Sequence, residues 1–362
     1  MNSSSRLDLG QTSIEITRQL CDIESVSGNE KMIADAMEQA VSGYPHLEVV
    51  RDGDCVVART SVGHAQRVII AGHLDTVPVN NNLPTRQETI DGVDYLWGRG
   101  TVDMKAAVAV QLKLAVELTD PRMDITWIWY DHEEVSSDLN GLGRLARNRP
   151  DLFQGDFAIL GEPSNATLEG GCNGTLRVEL RTQGKRAHSA RSWVGDNAIH
   201  RSASILSTLA EYTPRQVAVD GLVYREGLNA VRVHGGVAGN VIPDECVVEV
   251  NYRFAPNRTG AEAVEHVREI FPGAELTVTD LAEGARPGLE APLARAFADA
   301  VGTEPQPKYG WTDVARFSAL GIPAVNYGPG DPLKAHADDE RVALYQITES
   351  EDVLRSWLLA AD

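Results

Sequence analysis

A chain of 362 residues is longer than one ordinary domain, so two are expected. Its formal net charge of −19 at pH 7 argues against nucleic acid and anionic membranes as partners. No apolar run approaches the roughly 18–20 residues of a membrane span, and Cys21, Cys55, Cys172 and Cys246 are too scattered for a CxxC knuckle or redox pair.

Scattered cysteines of this kind read as free thiols in a reducing compartment. The first eight residues show no basic stretch followed by an apolar core, so the expected location is the cytoplasm. Ile14, Ile16, Leu20 and Ile23, then Ile33, Ala36, Met37 and Ala40, recur at helical spacing and predict a helix pair over residues 12–42. Ser27 or Asn29 is the expected cap of the second helix. Strands are expected at 47–50 and 55–59. Val68-Ile69-Ile70, ended by Ala71-Gly72, reads as a buried parallel strand that delivers His73 at its carboxyl end. Ligand sites of open α/β sheets collect at that end. Asp75, two residues on, is placed to orient the ring of His73.

Asn80-Asn81-Asn82 marks a turn-rich loop. Gly98-Arg99-Gly100-Thr101-Val102-Asp103 is a glycine-rich loop ahead of a strong helix at 105–118, where Asp103 would by default be an N-cap. A strand at 124–130 ends in Asp131-His132-Glu133-Glu134. Another at 157–160 ends in Gly161-Glu162-Pro163-Ser164. From about residue 170 the pattern changes to alternating strands at 175–183, 229–234, 245–254 and 275–279, with helices at 197–212 and 261–271. That β–α–β–β–α–β order predicts a ferredoxin-like unit. The earlier style resumes near 284, with helices at 293–301 and 313–320, a short strand at 324–327, His336, and a closing helix near 347–360. The expected domains are therefore 1–173 and 284–362, an α/β catalytic domain with a mixed, mostly parallel sheet, and an inserted α+β domain at 174–283.

His73, Asp103, Glu134, Glu162 and His336 make a set of two imidazoles and three carboxylates, donors that suit borderline cations such as zinc. Five ligands exceed one tetrahedral ion and suit two ions sharing a carboxylate, for which Asp103 is the candidate. Glu133 is then free to move a proton beside them. No compact motif such as HExxH is present, so spacing alone leaves the set open.

HLDTVP, GRGTVDMK, HEEV, LGEPS and Ala335-His336, in this order over nearly the whole chain, resemble the M20 family of metallopeptidases and deacylases. The resemblance implies a metallopeptidase-like catalytic domain with an inserted dimerisation or lid domain, two Zn2+ ions for which Co2+ can substitute, and a homodimer. It assigns His73 and Glu162 to one metal, Glu134 and His336 to the other, Asp103 as the bridge and Glu133 as general acid/base. Gly184-Lys185-Arg186-Ala187-His188-Ser189 resembles the family's lid segment, whose histidine reaches the other subunit's site and supports the oxyanion. Asn240-Val241-Ile242-Pro243 resembles the segment whose asparagine touches substrate.

Segments 186–193, 224–229, 252–258 and 310–314 resemble the branch that hydrolyses N-succinyl-LL-2,6-diaminopimelate to succinate and LL-2,6-diaminopimelate. A substrate with three carboxylates calls for guanidinium forks. Arg177, Arg181, Arg186, Arg191 and Arg253 all lie in the inserted domain; Arg177 and Arg181 alternate on an exposed strand and read as solvated, whereas Arg191 and Arg253 stand inside recognised segments and are the candidates. Asp313, beside Thr312, is placed to meet the ammonium. Cys172-Asn173 stands where the proteobacterial enzymes carry paired arginines, so carboxylate recognition falls to other residues here. The alternatives are an acetylornithine deacetylase-like enzyme or a dipeptidase with the same metals. More remote is a non-catalytic binding protein, whose mark would be a lost ligand or base; every expected position is filled.

Overall fold

The computed structural model describes residues 6–360. Residues 1–5 of the N-terminal reading lie outside the described residues. The chain forms two compact units. The first comprises residues up to Gly170, Gly288–Gln306 and Arg316 onward; the second comprises Gly171–Pro287 and Pro307–Ala315.

The first unit is built on a mixed sheet. Its strands run in the order Glu48–Asp52, Cys55–Arg59, Asp124–Tyr130, Arg67–His73, Phe157–Leu160, Ala324–Asn326 and Glu169–Gly170, followed by a two-residue strand that starts at Gln306. Arg67–His73 lies at the centre, parallel to both neighbours, and Phe157–Leu160 is parallel to Ala324–Asn326. Residues 68–73 are buried on both faces, which is why this strand reads as a continuous apolar run rather than an alternation. Full burial of side chains such as Ile69, Ile70, Trp127 and Trp129 stabilises by about 1.5–3 kcal/mol each. The helix Lys105–Glu117 is buried along nearly its whole length. Gly72 permits its approach: a Cβ there would stand 2.9 Å from Val108 Cγ2. On the same core, Phe157, Phe297 and Trp357 form an edge-packed aromatic cluster that docks the closing helix Leu344–Leu359.

Several local expectations are corrected. The second helix is Lys31–Val41 with Glu30 at its N-cap position, and neither Ser27 nor Asn29 caps it. Ser27 Oγ donates instead to Asp75 Oδ2 at 2.7 Å. Asp103 is not an N-cap: Met104 holds that position, with no side-chain cap. A hairpin, Arg86–Ile90 with Val93–Trp97, joins Arg341–Ala343 in a three-stranded sheet that the apolar pattern did not announce. Its signal was the dipeptide Asp91-Gly92, both at positive φ (52° and 82°), the requirement of a two-residue hairpin turn.

The second unit carries a four-stranded antiparallel sheet in the order Gly227–Gly235, Glu245–Phe254, Gly174–Gln183, Glu275–Ala282. Leu176, Val178 and Leu180 meet Val248, Val250 and Tyr252 on one face, covered by Ile205, Ala263 and Val267 from the helices Ala203–Glu211 and Gly260–Ile270 and by Phe271 at the end of the latter. This is the ferredoxin-like arrangement. The helix expected over 197–212 is interrupted at Ser202, giving Ala198–Arg201 and Ala203–Glu211. A second unannounced hairpin, Gln216–Val219 with Leu222–Arg225, turns on Asp220-Gly221. Thr259 and Glu262 form a reciprocal capping box on the last helix. Where the chain enters and leaves the unit, Cys172 and Ala285 exchange both backbone hydrogen bonds at 3.0 Å. Gly171 makes this possible: at φ 56°, a Cβ there would lie 2.1 Å from Ala285 O.

Candidate metal centre

The strand Arg67–His73 ends with His73 almost fully enclosed, at 1% exposure. Its Nδ1 donates to the backbone carbonyl of Asp75 at 3.0 Å, which turns Nε2 toward Asp103 Oδ1, also at 3.0 Å. The carboxylate of Asp75 is farther from the ring, 3.6 Å from Nδ1. It accepts the backbone N–H groups of Glu133 and Glu134 at 2.9 and 3.0 Å. Asp75 thus holds both the ring, through its carbonyl, and the Glu133-Glu134 dipeptide, through its side chain.

That dipeptide follows the strand Asp124–Tyr130. His132 takes a positive φ of 58°, a left-handed conformation uncommon outside glycine. Buried Glu30 accepts the His132 and Gly28 N–H groups at 3.2 and 3.0 Å on one oxygen. Arg144 grips Asp131 with two nitrogens at 3.0 and 2.6 Å. The turn is therefore fixed on both sides.

Asp103 divides its two oxygens between two imidazoles. Oδ1 faces His73 Nε2, and Oδ2 lies 3.3 Å from His336 Nε2. His336 Nε2 is also 2.9 Å from Glu134 Oε1. His336 follows the short helical turn Pro332–Lys334 and sits at φ 62°. Glu162, 7% exposed, follows Phe157–Leu160. Its loop is locked to residues 328–330. Gly328 N–H donates to Ser164 Oγ at 3.1 Å, and Asn165 N–H to Gly330 O at 2.8 Å. A Cβ at Gly328 would stand 2.4 Å from Gly161 O.

Three groups of donor atoms result, each within 4.8 Å of one another: His73, Asp103 and Glu162; Asp103, Glu134 and His336; and His73, Glu133 and Glu134. Ligands about 2.0–2.2 Å from a zinc ion stand up to roughly 4 Å apart; His73–Asp103 at 3.0 Å, Asp103–His336 at 3.3 Å and His336–Glu134 at 2.9 Å meet this, so the first two groups suit a small divalent cation each, with Asp103 common to both. The electrostatics agree. Hydrogen bonds that the ring donates to the Asp103 and Glu134 carboxylates push His336 up to about 10. Burial opposes charge on His73, yet the Asp103 carboxylate holds it well above the ordinary imidazole range. Burial also works against Asp103 ionising, and the two imidazoles overcome it, holding Asp103 well below the usual carboxylate range. Burial and then the charge of Asp103 raise Glu134, although His336 pulls it the other way. A cluster that draws protons this strongly onto its imidazoles is a potential well for cations.

The remaining candidates lie in the second unit. His188 is exposed, and its Nδ1 accepts the Ala190 N–H at 3.1 Å. The proton of a neutral ring is then on Nε2, which makes that atom a donor. Arg191 and Asn240 are exposed, and Asn240 O accepts the Ser189 N–H at 2.9 Å. Arg253 is half-buried, with Nε donating to Asn251 Oδ1 at 3.2 Å. Thr312 and Asp313 are buried, at 3% and 0% exposure. Asn173 is also buried, and its Nδ2 donates to the Arg225 and Tyr309 carbonyls at 2.8 and 3.2 Å. It braces the unit's own loops.

Sequence reasoning missed Ser27, Glu30, Arg99 and Glu340. Each acts on a backbone group or on another carboxylate of the ligand loops, and no spacing rule marks such a role.

A model of peptidase family M20/M25/M40 matches residues 69–360. A Mycobacterium tuberculosis chain with the provisional name succinyl-diaminopimelate desuccinylase DapE is 53% identical over 355 residues, covering 97% of this chain and 99% of that one. A succinyl-diaminopimelate desuccinylase of Corynebacterium glutamicum is 48% identical over 371 residues, covering 99% and 100%. Among solved structures, a dinuclear metal-binding peptidase of the M20 family from Bacillus subtilis superposes with a TM-score of 0.71. It is 17% identical, and 96% of each chain is covered.

Proposed function

This chain belongs to peptidase family M20/M25/M40, and on that premise we propose how its residues carry out a desuccinylation. It is a metal-dependent amidohydrolase that converts N-succinyl-LL-2,6-diaminopimelate and water to succinate and LL-2,6-diaminopimelate, a step toward lysine and meso-diaminopimelate. The observation that carries the residue-level reading is Asp103, which offers one oxygen to each of two donor groups.

In this reading one cation would be held by His73, Asp103 and Glu162, the other by Asp103, Glu134 and His336. The ions are zinc, with cobalt able to substitute, and when bound they acidify water and polarise the amide carbonyl. Glu133 lies beside both groups with its N–H held by Asp75. It takes the proton of the attacking water and returns it to the departing amine. Nε2–H of His188 of the partner subunit donates to the oxyanion of the tetrahedral intermediate. Arg191, Asn240 and Arg253 address the carboxylates of the substrate. Thr312 and Asp313 line its amine end.

The insert at 174–283 serves as lid and dimerisation domain. The outer strand Gly227–Gly235 supports this: it is a sheet edge, and Val231 and Val233 are 57% and 46% exposed. An apolar open edge invites a second copy of the same chain. Four free buried cysteines support the cytoplasm as its location, and among the described residues no helix is long and apolar enough to cross a membrane.

The test is turnover of N-succinyl-LL-2,6-diaminopimelate, N-acetylornithine and a dipeptide by zinc-loaded protein. A kcat/KM for the succinylated substrate at least a hundredfold above the others is expected. Preference for either of the others would overturn the substrate assignment.

A further inference from the structure

Buried Glu340 belongs to neither donor group, yet it touches the loops of two ligands. Its Oε1 accepts the backbone N–H groups of Val102 and Asp103 at 2.9 and 3.2 Å. Its Oε2 accepts Arg99 Nη1 at 2.6 Å, and both side chains are almost fully enclosed, at 1% and 4% exposure. Arg99 Nη1 also reaches the carbonyl of Ala337, the residue after His336, at 3.4 Å. The backbone closes the same link: Glu340 N–H donates to Ala337 O at 3.2 Å, and Gly98 N–H to Glu340 O at 3.1 Å.

We propose that the Glu340–Arg99 pair is a positioning device for the second cation site, which sets the separation of Asp103 from His336. The argument is one of connectivity. Asp103 and His336 are 233 positions apart in the chain and lie on loops, where backbone is the least constrained. One carboxylate, four residues after His336, fixes the peptide that carries Asp103. Its guanidinium partner ties it to the peptide that follows His336. A carboxylate bonded to two backbone N–H groups and a guanidinium is held in a single orientation. His73 and Glu162 follow strands of the central sheet and have ties of their own, to Asp75 and to residues 328–330, so the pair bears chiefly on the site of Asp103, Glu134 and His336. Removing partners that orient metal ligands costs about 10- to 100-fold in metal affinity.

This inference rests on the two-cation reading of the centre. The test is titration of metal-free full-length protein with Co2+, followed by calorimetry and by the visible absorption of the bound ion. Thermal melts of the metal-free proteins run alongside. Wild-type protein is expected to take two equivalents; uptake of one alone would overturn the two-cation reading itself. With Glu340→Gln, one of the two equivalents is expected to bind at least tenfold more weakly and the other within threefold of wild type. Wild-type affinity for both equivalents, or a lowered melting temperature with unchanged affinity in the folded protein, would overturn the positioning role. Should Glu340→Gln not accumulate as folded protein, Glu340→Asp keeps the charge and withdraws it by one methylene. The same selective loss is expected from it, and wild-type binding would overturn the proposal.

Discussion

Asp75 Oδ1 accepts the backbone N–H of Glu133 at 2.9 Å, so the second residue after the first ligand's strand sets where the proposed base stands. Its second oxygen does the same for Glu134 at 3.0 Å. Replacement of Asp75 by Asn puts an amide NH2 against one of these two N–H groups. A 10- to 100-fold fall in kcat is expected for Asp75→Asn, measured as initial rates at saturating zinc and substrate. Unchanged kcat would show that the Glu133-Glu134 turn holds its place without the charge.

Glu133→Gln keeps the shape of the side chain and removes its basicity. The variant is expected to retain both cations by elemental analysis and to lose about 10²- to 10⁴-fold in kcat. Near-normal turnover by the metal-replete variant would remove Glu133 from the role of base.

Asp103→Ala takes a donor from both groups at once. Metal content after dialysis against a fixed low concentration of free zinc is expected to fall at both sites, whereas Glu162→Ala or His336→Ala should lower it at one. Retention of two ions by Asp103→Ala would mean that the carboxylate is not shared.

Gly328→Ala tests the packing that locks the Glu162 loop. The added Cβ would stand 2.4 Å from Gly161 O and 2.8 Å from Glu162 O, both of them backbone atoms that cannot swing aside. A loss of about 1–3 kcal/mol in unfolding free energy is expected, read from denaturant curves, together with weaker binding at the His73 site.

Acid stability is expected to depend on Asp124, at the opposite end of the strand that leads to Glu133-Glu134. Burial works against its charge, but the N–H groups of Val62 and Gly63, then Arg67, hold it below the usual carboxylate value. A group depressed in the folded state stabilises fully above its unfolded pKa of 3.8 and loses that contribution as pH falls through the lower folded value. Urea midpoints taken from pH 5 downward should therefore fall for wild type, and Asp124→Asn should start lower and fall less steeply. Parallel curves would show that other carboxylates carry the acid transition.

What could be read from the chain alone follows from how local each signal is. Val68-Ile69-Ile70 and Ile125–Tyr130 announce buried strands because burial on both faces leaves an apolar run. The alternation from Thr175 to Gln183 announces a strand with one wet face. The resemblance picked out His73, Asp103, Glu133, Glu134, Glu162 and His336, and these do lie together. The default N-cap reading of Asp103 failed because the imidazoles of His73 and His336 claim its oxygens instead. The hairpins at Asp91-Gly92 and Asp220-Gly221 were overlooked although their turn chemistry is local; their strands are half-exposed and carry little apolar pattern. Glu340 and Glu30 were illegible for a different reason. Their partners are peptide N–H groups, which every residue except proline offers, so the sequence around them holds no trace of the contact.

The paired Cys172 and Ala285 at the base of the second unit bear on how far that unit is exchangeable. The chain departs and returns through adjacent, mutually bonded residues, so the segment between them joins the rest at one small seam, and the short excursion Pro307–Ala315 enters the same unit separately. All six donors of the cation centre lie outside residues 171–287 and would stay in the host. An exchange at this seam, with Pro307–Ala315 chosen to match, would leave those donors in place. One constraint travels with the joint: position 171 must remain glycine, since any side chain there would collide with the returning strand.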